Sequence, residues 1–171
     1  WNDSDGIKYQ NAYFGTFPRI WHHGDFIRVS EHGSIKIFGR SDSTLNPGGV
    51  RIGTAEIYRV VESMDSVEDS LVIGQEWEGD QRIILFLIMK KGFELNNVLV
   101  NEIKSQIRSD CSPRHVPAKI LETKGIPYTI NLKKVEIAVK KIIQGEDVAN
   151  RDALANPEVL DLYKDIPELQ S

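Results

Sequence analysis

Arg82-Ile83-Ile84-Leu85-Phe86-Leu87-Ile88-Met89 contains the longest apolar run of this 171-residue chain, Ile83–Met89. The run is far shorter than the roughly 18 residues of a membrane span and suits a buried strand. It is apolar at every position, so both of its faces must be covered. The flanking sequence supplies the partners. Upstream, Ile57, Val60, Val61 and Met64 repeat at helical spacing, with Glu56 in the first turn, where the helix dipole favours an anion. Leu71–Ile73 reads as a neighbouring strand. Downstream, Leu99, Ile103 and Ile107 mark a second helix with Asn96 or Asn97 as N-cap. Ala118–Thr123 reads as a third strand, and Lys134–Gln144 as a last helix ended by Gly145.

Further from that run, Phe26–Ser30 and Ser34–Phe38 form a β-hairpin turned at Glu31-His32-Gly33, where glycine accepts a positive φ. Residues 1–20 read as irregular, with Gly6, Gly15 and Pro18. Residues 39–53 read as a loop with four glycines. The order β-β-loop-α-β-β-α-β-α predicts an α+β fold: a small mixed sheet with helices packed on it, preceded by a hairpin. Residues 146–171 carry seven acids against two basic residues. They read as an extension packed on the surface and anchored by Leu160, Leu162, Tyr163 and Ile166.

The whole chain has 21 basic and 25 acidic side chains, a formal charge of −4. That balance argues against general binding to nucleic-acid phosphates. No segment reads as membrane-spanning and no signal peptide is visible. One cysteine, Cys111, cannot build an internal disulfide framework, which favours a reducing, cytoplasmic setting. The chain starts at Trp1, which reads as a piece of a longer protein. The four histidines show no zinc-like spacing, and there is no nucleophile elbow and no Walker loop.

Three stretches could carry chemistry. In Gly39-Arg40-Ser41-Asp42-Ser43-Thr44-Leu45-Asn46-Pro47-Gly48-Gly49-Val50-Arg51, two arginines flank a flexible segment. Guanidinium groups suit phosphate or carboxylate recognition; the same composition fits a solvated surface turn. In His22-His23-Gly24-Asp25, the carboxylate can accept two hydrogen bonds from a diol such as ribose, or bind its own backbone in an Asx-turn. In Pro127-Tyr128-Thr129-Ile130-Asn131-Leu132-Lys133-Lys134, a lysine between strand and helix can face developing negative charge. Exposed lysines can equally serve solubility.

Taken in order, Gly24-Asp25, Gly39-Arg40-Ser41-Asp42, Gly49-Val50-Arg51, Ala55-Glu56-Ile57 and Pro127 with Lys133 resemble the C-terminal signatures of the adenylate-forming superfamily. They spread over about 110 residues, and five in order are far more specific than any one. Leu45-Asn46 and Gly53-Thr54-Ala55-Glu56-Ile57 resemble the acetyl-CoA-synthetase-like branch. Within it, Trp21-His22-His23-Gly24-Asp25, Ser112-Pro113-Arg114-His115-Val116-Pro117, Ile126-Pro127-Tyr128-Thr129 and Asp161-Leu162-Tyr163 resemble acetoacetyl-CoA synthetases.

The resemblance implies the C-terminal domain of an enzyme that joins acetoacetate to CoA through an acyl-adenylate, using ATP and releasing AMP and pyrophosphate. Mg²⁺ would be bound through the nucleotide. It implies three regions: 1–41 as the end of a large N-terminal domain, 42–145 as the mobile small domain, and 146–171 as the extension. The remainder of the N-terminal domain would lie outside this chain, which alone would be inactive. It also implies residue roles. Asp25 would hold the ribose hydroxyls, Arg40 would contact the ribose and phosphate side, and Arg51 would sit near phosphate in the thioester-forming state. Asp42 would be the hinge. Gly49 would line the pantetheine route, where a side chain would obstruct, and Arg108 would meet a CoA phosphate. Lys133 would be the adenylation lysine. The family usually has glycine before that lysine, and here Leu132 stands there. Leucine resists positive φ, so the expectation is a reshaped loop with Lys134 as a fallback. A synthetase for acetate, propionate or another short acid, and a decayed non-catalytic module, remain the alternatives.

Overall fold

The structure, a computed structural model, describes residues 3–41, 43–148 and 150–171. They form two compact units, Trp1–Asp42 and Ser43–Ser171.

The first unit begins with a helix, α1 (Ile7–Phe14), where the sequence suggests irregular chain. The Asp3 carboxylate accepts from the Lys8 and Tyr9 amides at 2.9 Å, satisfying donors that a helix start leaves open. No residue of α1 is buried, so no apolar stripe advertised it. A hairpin follows, β1 (Asp25–Val29) and β2 (Ile35–Arg40), paired antiparallel with Asp25 opposite Arg40. Its turn closes through Gly33 at φ 78, whose amide donates to Ser30 O at 2.9 Å. Ile27 faces Ile37 and Val29 faces Ile35 across the ribbon, and all four are exposed.

In the second unit, β3 (Val67–Trp77) pairs antiparallel with β4 (Asp80–Met89). The latter pairs parallel with β5 (Lys119–Glu122) through a crossover helix, α3 (Asn97–Asp110). The sheet order β3-β4-β5 is the expected small mixed sheet. Asn96 caps α3, its Oδ1 accepting from the Val98 and Leu99 amides at 3.0 Å.

The two faces of β4 organise the core. Ile83, Leu85 and Leu87 pack with α2 (Thr54–Val61), α3, Leu45 and Ile52. Ile84 and Phe86 pack with Leu71 and Ile73 of β3, with Ile126, with α4 (Glu136–Ile143) and with the C-terminal extension. The extension runs through three short 3-10 turns, Arg151–Ala153, Pro157–Tyr163 and Pro167–Leu169. Leu160, Tyr163 and Leu169 are buried, each contributing about 1.5–3 kcal/mol of apolar burial. Tyr163 meets Phe86 edge-on at 4.9 Å. Leu162, an expected anchor, is 44 % exposed, and Leu169 takes that place. Arg82 stacks on Trp77 at 3.7 Å and donates to Leu169 O and Ser171 O at 2.8 Å, fastening this last stretch. Among the described residues, no helix is long and apolar enough to cross a membrane.

Candidate functional site

In the first unit, β-pairing brings two of the expected site residues together. Asp25 and Arg40 are cross-strand partners at the open end of the hairpin. Gly24, at φ 87, lets the Arg40 guanidinium lie against the backbone; a Cβ there would come within 2.9 Å of Arg40 Nη2. Arg40 Nη1 donates to His23 O at 3.2 Å, and His23 Nδ1 lies 2.5 Å from Asp25 Oδ2. The result is a carboxylate and a guanidinium on one small platform, with His23 orienting the carboxylate. Asp42, the expected hinge, lies outside the described residues.

In the second unit, Lys133 sits on a hairpin that the sequence reading missed. Tyr128 pairs with Lys134, Thr129 N–H donates to Lys133 O at 2.8 Å, and Leu132 N–H donates to Thr129 O at 2.8 Å. Ile130, Asn131 and Leu132 are the loop. The third residue of such a loop is commonly left-handed, a place glycine fills best. Leu132 adopts that conformation, φ 56, with 78 % of its surface exposed. The expectation of a loop that leucine pushes away from positive φ is therefore wrong. The ribbon on both sides holds the turn more firmly than the Cβ opposes it.

The two neighbouring lysines differ completely. Lys133 is exposed, and its side chain has no hydrogen-bond or ion-pair partner among the described residues. Lys134 is only 18 % exposed. Its ammonium contacts Glu62 Oε1 at 2.5 Å, Asp69 Oδ1 at 2.8 Å and Ser70 O at 2.5 Å, 4.4 Å over the Tyr58 ring. Tyr128 O–H donates to Asp69 at 2.7 Å, and Tyr58 O–H donates to Glu136 at 2.9 Å while accepting from Val72 N–H. Burial first, then the neighbouring carboxylates, push both phenols well above their usual range. Lys134 is thus a structural anchor, and the fallback role falls away.

Gly49 belongs to a different layer. The 3-10 turn Pro47–Gly49 lies between Leu45 and Ile52, which pair as an isolated bridge and are both buried with α2 and α3. The turn β3–β4 secures it: Asp80 accepts from Gly48 N–H at 3.0 Å and Gln81 from Asn46 N–H at 2.7 Å. Gly49 is exposed at φ 75, and a Cβ there would meet nothing within 4 Å. Within this unit, then, glycine is required by backbone conformation rather than by crowding. Arg51 is exposed beside Ile52, and Arg108 is exposed in the last turn of α3. Gly49, Arg51 and Arg108 all belong to elements rooted on the α2/α3 face of the sheet, whereas the Lys133 hairpin is rooted, through Ile126 and Tyr128, on the other face. Among the described residues, no group of three or more His, Cys, Asp or Glu side chains could hold a metal ion.

Comparisons with known proteins point the same way. No protein-family model matches the chain. Acetoacetyl-coenzyme A synthetase of Rhizobium meliloti is 56 % identical over 171 residues, all of this chain and 26 % of that protein. Acetoacetyl-CoA synthetase of Rattus norvegicus is 55 % identical over 172 residues, with 99 % of this chain covered and 26 % of the relative. The solved acetoacetyl-CoA synthetase of Streptomyces lividans superimposes over the whole chain with a TM-score of 0.88 at 40 % identity, again over 26 % of its own length. The chain is related to the acetoacetyl-CoA synthetases and matches their C-terminal part.

The chain spans about a quarter of the length of these relatives. Here the acidic extension completes the core, and the Lys133 hairpin lies against it. Tyr128 N–H donates to Asn156 Oδ1 at 2.8 Å, and Ala155 N–H donates to Tyr128 O at 2.8 Å. Sequence reasoning missed this contact, since residues 28 positions apart carry no local signal; the Asn156-Pro157 pair, a turn marker, was the only hint.

Proposed function

We propose that the chain is the mobile small domain, with the end of the large domain, of an AMP-forming acid–thiol ligase that makes acetoacetyl-CoA from acetoacetate, ATP and CoA. The observation that carries this reading is the rooting of Lys133 and Gly49 on opposite faces of one sheet. A domain built this way presents an ammonium group in one orientation and an open glycine turn in another.

In the first step an acetoacetate carboxylate oxygen attacks the α-phosphorus of ATP, and the bond to pyrophosphate breaks. Lys133 fixes the approach and offsets the negative charge that grows on the phosphoryl oxygens. Mg²⁺ enters with ATP as part of the substrate. Asp25 holds the ribose hydroxyls and Arg40 the adjacent phosphate side. The domain then turns about Asp42. Lys133 withdraws, Gly49 lines the pantetheine route, and Arg51 and Arg108 meet phosphates. The CoA sulfur attacks the acyl carbon, its proton passes to solvent, and AMP leaves as the mixed-anhydride bond breaks. The exposed apolar face of the hairpin, Ile27, Val29, Ile35 and Ile37, suits packing against the rest of the large domain. The single cysteine supports a cytoplasmic setting. Leu132 gives no ground for a decayed module, because its backbone takes the conformation the hairpin requires.

The test is Lys133→Ala in the full-length parent. With acetoacetate, pyrophosphate release should fall by roughly 10²–10³-fold, while thioester formation from supplied acetoacetyl-adenylate continues. Unchanged pyrophosphate release would refute the role of Lys133, and a preference for acetate over acetoacetate would refute the substrate.

A further inference from the structure

The Lys133 side chain is exposed and unpartnered among the described residues, so the backbone is what sets the position from which it reaches out. That backbone is a two-stranded ribbon, and an isolated ribbon of this size is marginal in water. Its inner strand is fixed by Lys134. Its outer strand is fixed by the C-terminal extension. Residues 153–156 lie alongside it: Ile130 N–H donates to Ala153 O at 3.1 Å, Ala155 N–H donates to Tyr128 O at 2.8 Å, and Thr129 forms an isolated bridge with Leu154. Asn156 completes the strip with its side chain. Its Oδ1 accepts from Tyr128 N–H at 2.8 Å, and its Nδ2 donates to Ile126 O at 2.9 Å. One carboxamide thus performs the donor and acceptor work of a strand residue, at the point where the chain leaves the ribbon to enter the turn Pro157–Tyr163. That turn is pinned by buried Leu160 and Tyr163, and Tyr163 O–H donates to Gly125 O at 2.8 Å, three residues before Tyr128. Asn156 is therefore a rigid post for the outer strand.

The geometry points to Asn156, with the segment 153–156 that carries it, as the positioning residue for Lys133 in the adenylation step. This rests on the adenylation role proposed above for Lys133. The extension then contributes to chemistry and not only to the core. Its contribution is confined to the step in which Lys133 acts.

The experiment uses the full-length parent with Asn156→Ala and, beside it, Lys133→Ala. For Asn156→Ala, kcat for acetoacetate-dependent pyrophosphate release should fall by ~10- to 100-fold, the range expected when a reacting group is misplaced by about an ångström. KM for ATP and thioester formation from supplied acetoacetyl-adenylate should stay within about twofold. Amide hydrogen exchange should accelerate at Tyr128 and Ile130 and stay slow in β4, which shows that the domain remains folded. Equal losses in both half-reactions, or an unchanged adenylation rate with accelerated Tyr128 exchange, would overturn the positioning role. If Lys133→Ala itself leaves adenylation intact, the failure lies with the role of Lys133, and the inference falls with it.

Discussion

Replacing Leu132 by glycine should stabilise the protein. A left-handed backbone disfavours a residue with a Cβ by about 1–2 kcal/mol, and Leu132 stands at φ 56. Glycine relieves that strain but gives the unfolded chain extra freedom worth about 0.4–1 kcal/mol. The leucine side chain offsets little. At 78 % exposure it is about as open as in an unfolded chain, which itself buries roughly 10–40 % of its surface. The net expectation is a gain of about 0.5–1 kcal/mol. With a urea dependence of about 2 kcal/mol per molar, the unfolding midpoint should rise by roughly 0.3–0.5 M. The assay is urea unfolding followed by far-UV circular dichroism, with Leu132→Ala alongside. Alanine keeps the Cβ and the strain, so its midpoint should not move. A falling midpoint for Leu132→Gly, or equal shifts for glycine and alanine, would refute the assignment of strain to this residue.

The two adjacent lysines should behave oppositely. Lys134→Met strands Glu62 and Asp69 and should destabilise by about 2–4 kcal/mol, while Lys133→Met should stay within about 0.5 kcal/mol; equal effects in urea unfolding would contradict the anchor role. Tyr58, Tyr128 and Tyr163 have phenol pKa values raised above the ordinary 10.0, chiefly by burial. Their contribution to stability is full below pH 10.0 and is lost as pH rises above it, because the unfolded chain ionises first. Phenolate absorbance from these three should appear together with the loss of far-UV signal; full ionisation in the still-folded protein would contradict the burial assignment.

What the sequence could show follows from where the signals live. The apolar run Ile83–Met89 announced a strand covered on both faces, and Ile57, Val60 and Val61 announced the helix that covers one of them, because burial on a regular element marks the chain with apolar residues. Asp25, Arg40, Gly49 and Lys133 were legible through motif order, and Asp25 and Arg40 do share one end of a hairpin. Helix α1 was illegible because none of its residues is buried and its start is held by aspartates that precede it, Asp3 and Asp5. The Lys133 hairpin was missed because its turn uses leucine where glycine would have signalled it. The docking of residues 153–156 was missed because Ala153-Leu154-Ala155-Asn156 gains its backbone partners only where a distant ribbon offers them. Lys134 looked like a spare copy of its neighbour, and only the packing of Tyr58, Glu62 and Asp69 separates the two.

Successive side chains of β4 point into different layers, so parity along this strand sorts the whole domain. Inserting a single residue between Arg82 and Met89 would turn the rest of the strand over, sending a Phe86-sized ring toward α2 and α3 and leaving Tyr163 without its edge-on neighbour. A second inserted residue would restore the parity. Odd and even insertions at one site should therefore have unequal consequences, a behaviour that side-chain volume or hydrophobicity alone would not anticipate.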